Sequence, residues 1–200
     1  MTATQLQLDQ DFFLADATET EVVDVWFRWE KDDAQLNAAL DMDFCAVMLG
    51  VEERMLDDGH LIYYNNAHSP CHSVTHLGDD QAQDQQGAEE CLRFKLHTVP
   101  EEIVQILLCA TIPADDMDKH HLGMLQRAWF ELVAANEAYH PMAQREMFPG
   151  GEQQYGWIVG IFYRQELDNA ESQWVFRHVK EELPDGMQTL LDHFSPSGDY

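Results

Sequence analysis

The chain has 200 residues, 45% of them apolar, and its 37 acidic and 11 basic residues give a formal net charge of −26. This length and apolar content allow a buried core, which excludes general disorder. The negative charge repels nucleic acid and anionic membrane surfaces and attracts cations or basic partners, although solubility alone also accounts for it. We therefore predict no nucleic-acid partner.

The first residues, MTATQLQLDQDFF, have neither a basic segment nor an apolar core and do not resemble a signal peptide. No stretch approaches the roughly 20 uninterrupted apolar residues that a membrane-spanning helix needs. The four cysteines, at positions 45, 71, 91 and 109, show no CxxC spacing of the kind found in zinc knuckles. We expect a cytoplasmic chain with reduced thiols and no membrane insertion.

Alternation of apolar and polar residues predicts strands along most of the chain. The segment 1–20 is polar and acidic apart from the apolar run at 12–14, and we interpret it as an N-terminal arm or edge strand. Further strands are predicted at 22–29, 41–49, 60–66, 72–77, 91–96, 105–112, 156–165 and 173–179.

Few segments of the chain have a sequence pattern that predicts a helix. One helical turn is predicted after Pro100, and the segment 121–135 has helical spacing early and strand-like residues late. The tail from Pro184 to Phe194 is predicted to form a closing helix with Asp185 as its N-cap.

Short strands with little helix between them predict an all-β fold, a β-sandwich with a few short helices. No repeat or linker is visible, so we predict one sandwich domain over 21–182, preceded by the arm or edge strand at 1–20 and followed by a C-terminal helix and tail at 183–200.

Sequence motifs of the common enzyme classes are missing. The chain has no GxxxxGK[ST] phosphate loop, no GxGxxG, no GxSxG and no HExxH. We predict that the protein is not an enzyme, with no catalytic residue and no organic cofactor. An enzyme that uses this fold without a recognisable motif is the alternative that this absence leaves open.

The stretch IYYNNAHSPCHSVTHLGDD, residues 62–80, is dense in possible metal ligands. His68, His72 and His76 recur every four residues, but the Ser-Pro pair at 69–70 disfavours a helix there. On a straight strand His72 and His76 would lie about 13 Å apart. A zinc ion needs each ligand at about 2.1 Å. We interpret these histidines and Cys71 as turn residues.

A hard cation such as calcium would take oxygen ligands, about six to eight of them, where several loops meet. Four local clusters offer oxygens: Asp41 with Asp43, Asn65 with Asn66, Gly78-Asp79-Asp80, and the acidic segment 84–90. Each cluster is also ordinary turn chemistry, and spacing alone does not bring them together.

A series of motifs, in order and at matching spacing over about residues 20–180, resembles the TerD family of tellurium-resistance and stress proteins. The family pattern contains DLDAS, FYNN, SPDGSVxHxGDN, an acidic loop, VPxxVxKIxFxVTI and ELYR. The matching segments here are FRWE, LDMDFCAVML, IYYNNAHSP, SVTHLGDD, VPEEIVQILLCATI, FYR and QWVFRHV.

The resemblance implies a β-sandwich of two antiparallel sheets with a divalent-cation site, usually calcium, in its loops. It also implies a cytoplasmic role in chemical stress response. Matched residue by residue to the family motifs, the predicted metal ligands are Asp41, Asp43, Asn65, Asn66, Asp79 and Glu90.

The chain departs from the family pattern near this site. Cys71-His72 replaces Asp-Gly, Asp80 replaces an asparagine, and Gln86 and Ala88 replace aspartates. Because the number of charged ligands tunes calcium affinity, we expect weak binding. The alternative is a degenerate paralogue that binds no metal and acts as a protein–protein scaffold. Expected partners besides the cation are related stress-response proteins or a second copy of the chain.

Overall fold

The computed structural model of the chain describes residues 3–14, 22–31, 40–78, 88–135, 139–147, 154–167 and 172–197. Twelve strands in these ranges form two six-stranded sheets. Sheet I has the order β1 (Thr4–Gln5), β10 (Pro141–Met147), β9 (Leu125–Ala134), β3 (Val22–Lys31), β7 (Ala88–Lys95) and β6 (Val74–Gly78). Sheet II has the order β2 (Asp11–Phe13), β12 (Ser172–Glu182), β11 (Gly156–Glu166), β8 (Gln105–Thr111), β4 (Asp43–Leu49) and β5 (Leu61–Ile62).

Neighbouring strands run antiparallel except for β1 beside β10. The all-β sandwich of two antiparallel sheets is therefore confirmed. In the described part of the chain, single 3-10 turns occur at Asp58–His60, Leu96–Thr98, Ala114–Asp116 and Leu122–Met124, and one α-helix, α1, spans Met187–Phe194. None of the helices in the described ranges is long and apolar enough to cross a bilayer.

Strand β4 illustrates how the sequence builds two apolar layers. Phe44, Ala46 and Met48 belong to the main core between the sheets, where Phe44 stacks on Phe27 of β3 at a ring distance of 5.3 Å. Alternate side chains of a strand point to opposite faces. The intervening residues therefore lie on the outer face of sheet II, in a second apolar cluster formed by Cys45, Val47, Leu49, Met55, Leu107, Cys109, Ile158, Val179, Leu183 and Leu190.

Helix α1 covers that outer face. Leu190 is buried in the second cluster, and Met187 and Phe194 pack against it. The backbone N–H of Met55 donates to the carbonyl of Phe194 at 2.9 Å, which fixes the C-terminal end of the helix. Strands β4 and β8 of sheet II are thus buried on both faces, which explains their nearly continuous apolar sequences.

Several strands lie within a few residues of their predicted positions, but the strand predicted at 60–66 is wrong beyond Ile62. Tyr63 and Asn66 exchange both backbone hydrogen bonds, so the chain turns back at Tyr64-Asn65. Strand β10 was not predicted. Its central Gln144, Arg145 and Glu146 are polar and hide the alternation on which such predictions depend.

Two helical predictions also need correction. Segment 121–135 forms only a 3-10 turn before strand β9, because its backbone pairs with β3 and β10 while alternate apolar side chains such as Phe130 and Leu132 enter the core. Helix α1 is capped by Gly186 and not by Asp185; Gly186 has φ 55°, and no side chain caps this end. The backbone N–H of Asp185 instead donates to the hydroxyl of Thr189.

Candidate metal centre

The two sheets are linked at one end of the sandwich by Glu90 of β7. Strand β5 pairs only with Ala46 and Val47, so the edge of β4 is open at Phe44. The Glu90 Oε2 atom accepts the Phe44 backbone N–H there. A buried backbone donor needs a partner, and a carboxylate is a strong one. This bond places the Glu90 carboxylate next to Asp43, the first residue of β4.

His76 of β6 completes the group. Its Nε2 lies 3.3 Å from Glu90 Oε2, and its Nδ1 accepts the backbone N–H of Gly78 at 3.1 Å. Because Nδ1 is an acceptor, a neutral imidazole carries its proton on Nε2 and donates it to Glu90. The His76 side chain is only 3% exposed. The interpretation of His76 as a turn residue is therefore wrong, whereas His72 does lie exposed in a turn with φ 56°.

Electrostatic repulsion is concentrated on Asp43. Burial, the Glu90 carboxylate and the Asp41 carboxylate together raise the pKa of Asp43 to about 6, and His76 opposes the rise. Both described hydrogen bonds to Glu90 use the same oxygen, Oε2. We call Asp41, Asp43, Glu90 and His76 the acidic cluster. A positive charge added beside Asp43 would stabilise the ionised form of its carboxylate.

We predict that Asp43→Asn stabilises the fold at neutral pH when divalent cations are absent. The pKa of Asp43 is raised in the folded state, so the folded chain holds this proton more tightly than the unfolded chain. Stability from this group is present at low pH and is lost as the pH rises from about 4 to above 6. After allowance for solvent screening, asparagine should add about 1 kcal/mol at about pH 7.5 and nothing near pH 4.

Urea unfolding of both proteins at the two pH values measures this difference, with Asp118→Asn as the control for loss of an exposed carboxylate. A destabilised Asp43→Asn protein at both pH values would contradict the prediction.

The structure places the other predicted ligands as follows. Asp41 is exposed, and its Oδ1 accepts the Met42 backbone N–H at 3.0 Å. Asn65 is exposed in the turn after β5. Asn66 uses its Nδ2 to donate to the Gly59 and Leu61 carbonyls, at 3.2 and 2.7 Å, and so stabilises the 59–66 turn. Asp79 lies outside the described residues, as do Asp80 and Gln86.

The carboxylates of the acidic cluster are suitable ligands for a calcium ion, but the described residues do not provide the full number of ligands that calcium takes. Among the side chains that the structure describes, no three of His, Cys, Asp or Glu are arranged to hold a metal ion. Asp43 and Glu90 supply carboxylates, and calcium takes about six to eight oxygens. The segment 79–87, which joins β6 to β7 in sequence and carries Asp79 and Asp84, belongs to the part not described.

Arg164 is a residue that motif reading did not single out. It belongs to the FYR segment of β11 and donates to the carbonyls of Val99, Pro100 and Ile103, at 2.7, 3.1 and 3.0 Å. Those carbonyls belong to the VPEEI segment, so two of the resembling motifs are in direct contact. The signal in the sequence was an arginine inside an apolar strand, which usually marks a charge with buried acceptors.

Cys71 is the one half-exposed thiol, and the other three cysteines are free and buried. Burial alone would raise the pKa of Cys71. The hydrogen bonds from Ser69 and Ser73, the latter at 2.9 Å between Sγ and Oγ, outweigh it and lower the pKa. Burial raises the pKa of Cys91 and Cys109.

We therefore predict that Cys71 is alkylated first, and that the buried thiols react only after local unfolding. Brief treatment with iodoacetamide followed by peptide mass spectrometry measures the order. Labelling of Cys91 before Cys71 would contradict the strand assignments.

The fold and the acidic cluster together define an all-β sandwich protein with a charged junction between its sheets. The TerD domain model matches residues 2–194, and the chain therefore belongs to the TerD family. It is 27% identical to the tellurium resistance protein TerD of Serratia marcescens over 154 residues, 77% of each chain. It is also 27% identical to TerD of an Alcaligenes species over 139 residues, 70% of this chain and 69% of the other.

Two solved structures share the fold at lower identity. One is a protein of unknown function with a TM-score of 0.63 and 15% identity, covering 86% of this chain and 95% of the other. The second is a homologue of the telluride resistance protein TerD from Streptomyces coelicolor A3(2), with a TM-score of 0.58 and 14% identity, covering 84% and 94%. At these identities the likeness concerns the fold alone.

Proposed function

We propose that this chain is a TerD-type stress-response protein of the cytoplasm that binds a divalent cation, calcium in preference to magnesium, and catalyses no reaction. Its place in the family of tellurium resistance proteins supports the stress-response role. The ligands we propose are Asp43 and Glu90, together with Asp79, which follows β6 in the sequence, and Asp41, whose charge contributes to the raised pKa of Asp43.

The observation that carries the cation proposal is the position of Asp43. Its half-buried carboxylate lies beside that of Glu90, and burial, together with repulsion from Glu90 and Asp41, raises the pKa of Asp43 to about 6. A divalent cation would remove this repulsion and hold together β4 of sheet II and β7 of sheet I. Magnesium keeps its waters more firmly, so it should bind less well at a partly buried site.

Calcium at a few millimolar is expected to raise the melting temperature of metal-stripped protein by about 3–6 °C. This follows from a Kd of about 10⁻⁴ to 10⁻³ M, which gives about 1.4 kcal/mol at tenfold excess. A domain of this size gains about 2–4 °C per kcal/mol. Asp43→Asn should abolish the rise, and Asp118→Asn, which removes an exposed carboxylate, should keep it.

The control for ionic strength is potassium chloride at matched ionic strength, because screening alone stabilises a chain of charge −26. Isothermal titration of the same samples gives the stoichiometry. If the melting temperature of the unmutated protein is the same in calcium as in potassium chloride of matched ionic strength, the cation proposal fails. The metal-free scaffold, with the acidic surface as docking face for a related protein or a second copy, then becomes the better account.

A further inference from the structure

Two buried thiols face one another on the outer side of sheet II. Cys45 of β4 is the direct partner of Cys109 of β8. Residues opposed in this way point to the same face of a sheet. Both side chains are 0% exposed and belong to the second apolar cluster, under α1. The thiols are close enough to share a hydrogen bond.

This placement meets the Cα-spacing requirement of a disulfide. Directly opposed residues of antiparallel strands have Cα atoms about 4.5–5.5 Å apart. Disulfides join residues whose Cα atoms are about 4.4–6.8 Å apart. The Cα separation expected for Cys45 and Cys109 therefore lies within the range that disulfides span, whereas Cys91 lies opposite Trp26 and has no such partner.

The two thiols are covered by the short helix α1, which is held to the rest of the protein by few contacts. Helix α1 has eight residues and follows Gly186, whose φ of 55° is a conformation that glycine adopts without strain. Beyond the apolar contacts of Leu190, Met187 and Phe194, its C-terminal end is tied by the Met55 bond and by Arg54, which donates to the Ser195 carbonyl.

An open groove runs along the edge of this helix. It has a volume of about 390 Å³ and is lined by Met55, Leu61 and Leu191 among others. Leu61 pairs with Val47, which is two residues from Cys45 on the same face of β4. Leu61, which lines the groove, thus neighbours the strand that carries Cys45, although neither cysteine lines the groove itself.

We propose that Cys45 and Cys109 form an oxidisable dithiol that a peroxide converts to a cross-strand disulfide when helix α1 lifts from sheet II. Cys45, nearer the groove, gives up its proton and attacks a peroxide oxygen, which forms a sulfenic acid and releases water. The sulfur of Cys109 then attacks the sulfenic sulfur, loses its proton and expels the hydroxyl as a second water. Two thiols and one hydrogen peroxide become one disulfide and two waters.

The ordinary role of buried thiols is that of small apolar residues. That role does not require two cysteines opposite each other, and it predicts no disulfide. The oxidation proposal is independent of the cation proposal, since it uses the outer face of sheet II and not the junction between the sheets.

The test is exposure of the full chain carrying Cys71→Ser to hydrogen peroxide, followed by alkylation in denaturant and non-reducing peptide mapping. The substitution removes the exposed thiol and prevents exchange through it. A Cys45–Cys109 cross-linked peptide, lost on treatment with dithiothreitol, is expected. Cys91 is the internal control for a buried thiol without a partner and should stay alkylatable.

The dependence on α1 is tested with Leu190→Ala, which removes a buried contact of the helix. Disulfide formation should become several-fold faster, and Asp192→Ala, an exposed change on the same helix, should leave the rate unchanged. If Leu190→Ala does not fold, urea below the unfolding transition replaces it as the means of loosening α1. Full alkylation of Cys45 and Cys109 after peroxide in all of these samples, or pairing of either with Cys91, would overturn the proposal.

Discussion

Replacing Gly160 with alanine is expected to destabilise the folded chain by about 3 kcal/mol, the upper end of typical overpacking costs. Gly160 lies in β11 beside a register shift that affects its pairing with both neighbouring strands. A Cβ there would come within 2.3 Å of Phe176 Cζ and 2.6 Å of Phe176 Cε2. The ring has little room to move, because it is fully buried against Phe130 and Phe162.

Urea unfolding monitored by circular dichroism measures this loss. Gly50→Ala is the matched control. Its Cβ would meet the end of the exposed Leu56 side chain at 2.9 Å, which can shift at little cost, so a loss under about 1 kcal/mol is expected. Adding Phe176→Leu to Gly160→Ala should recover part of the loss, since it removes the clashing ring atoms. Strictly additive losses in the double mutant would show that the clash is not the cause.

Arg164→Ala is expected to cost about 2–4 kcal/mol, since hydrogen bonds from a charged donor contribute about 1.5–3 kcal/mol each and are not additive. The guanidinium donates to three carbonyls of the segment 99–103 and lies over the Trp174 ring at 4.5 Å. Alanine would remove this side-chain donor, so that of these carbonyls Pro100 would keep the Ile103 backbone N–H at 3.1 Å, and the loop that leads into β8 would be less firmly held.

Arg127→Ala is a close control, because Arg127 also lies 4.5 Å over a tryptophan ring, that of Trp129, but pairs with the exposed Glu146. Exposed pairs are worth about 0–1 kcal/mol, so the control should lose little. Arg164→Lys should recover only part of the loss, since an ammonium group cannot reproduce the planar fork of donors. Equal losses for the two alanine variants would mean that stacking, and not the carbonyl bonds, is what Arg164 contributes.

The strand pattern was readable from the sequence because one or both faces of each strand are apolar. In β7, Leu92 and Phe94 face the core while Arg93 faces outward to Asp24, and period-two alternation reveals such a strand directly. In β4 and β8 the run is almost entirely apolar, and its length bounded by turn residues indicated a buried strand. Strand β10 was not predicted from the sequence, because only its residues Ala143 and Met147 are buried and its other residues are more exposed.

The residues of the proposed cation site could be predicted only in part from the sequence. Motif resemblance selected Asp43 and Glu90, which the structure places next to each other from different sheets. It also selected Asn66, whose Nδ2 donates to two carbonyls of its own turn. An asparagine at a strand end has the same sequence signature whether its side chain binds a cation or closes a turn.

The sequence by itself determined the class of fold, the order of most strands and the family. The alternation of apolar and polar residues and the order of the motifs can both be seen along the chain without knowing which residues are in contact. Which residues meet was decided by the tertiary structure. His76 joins Glu90 because β6 pairs with β7 in a register that sends this imidazole inward, and Cys45 faces Cys109 because β4 pairs with β8 without a shift. A shift of either register by one residue would turn each of these side chains to the opposite face of its sheet. The register cannot be predicted from the local sequence pattern.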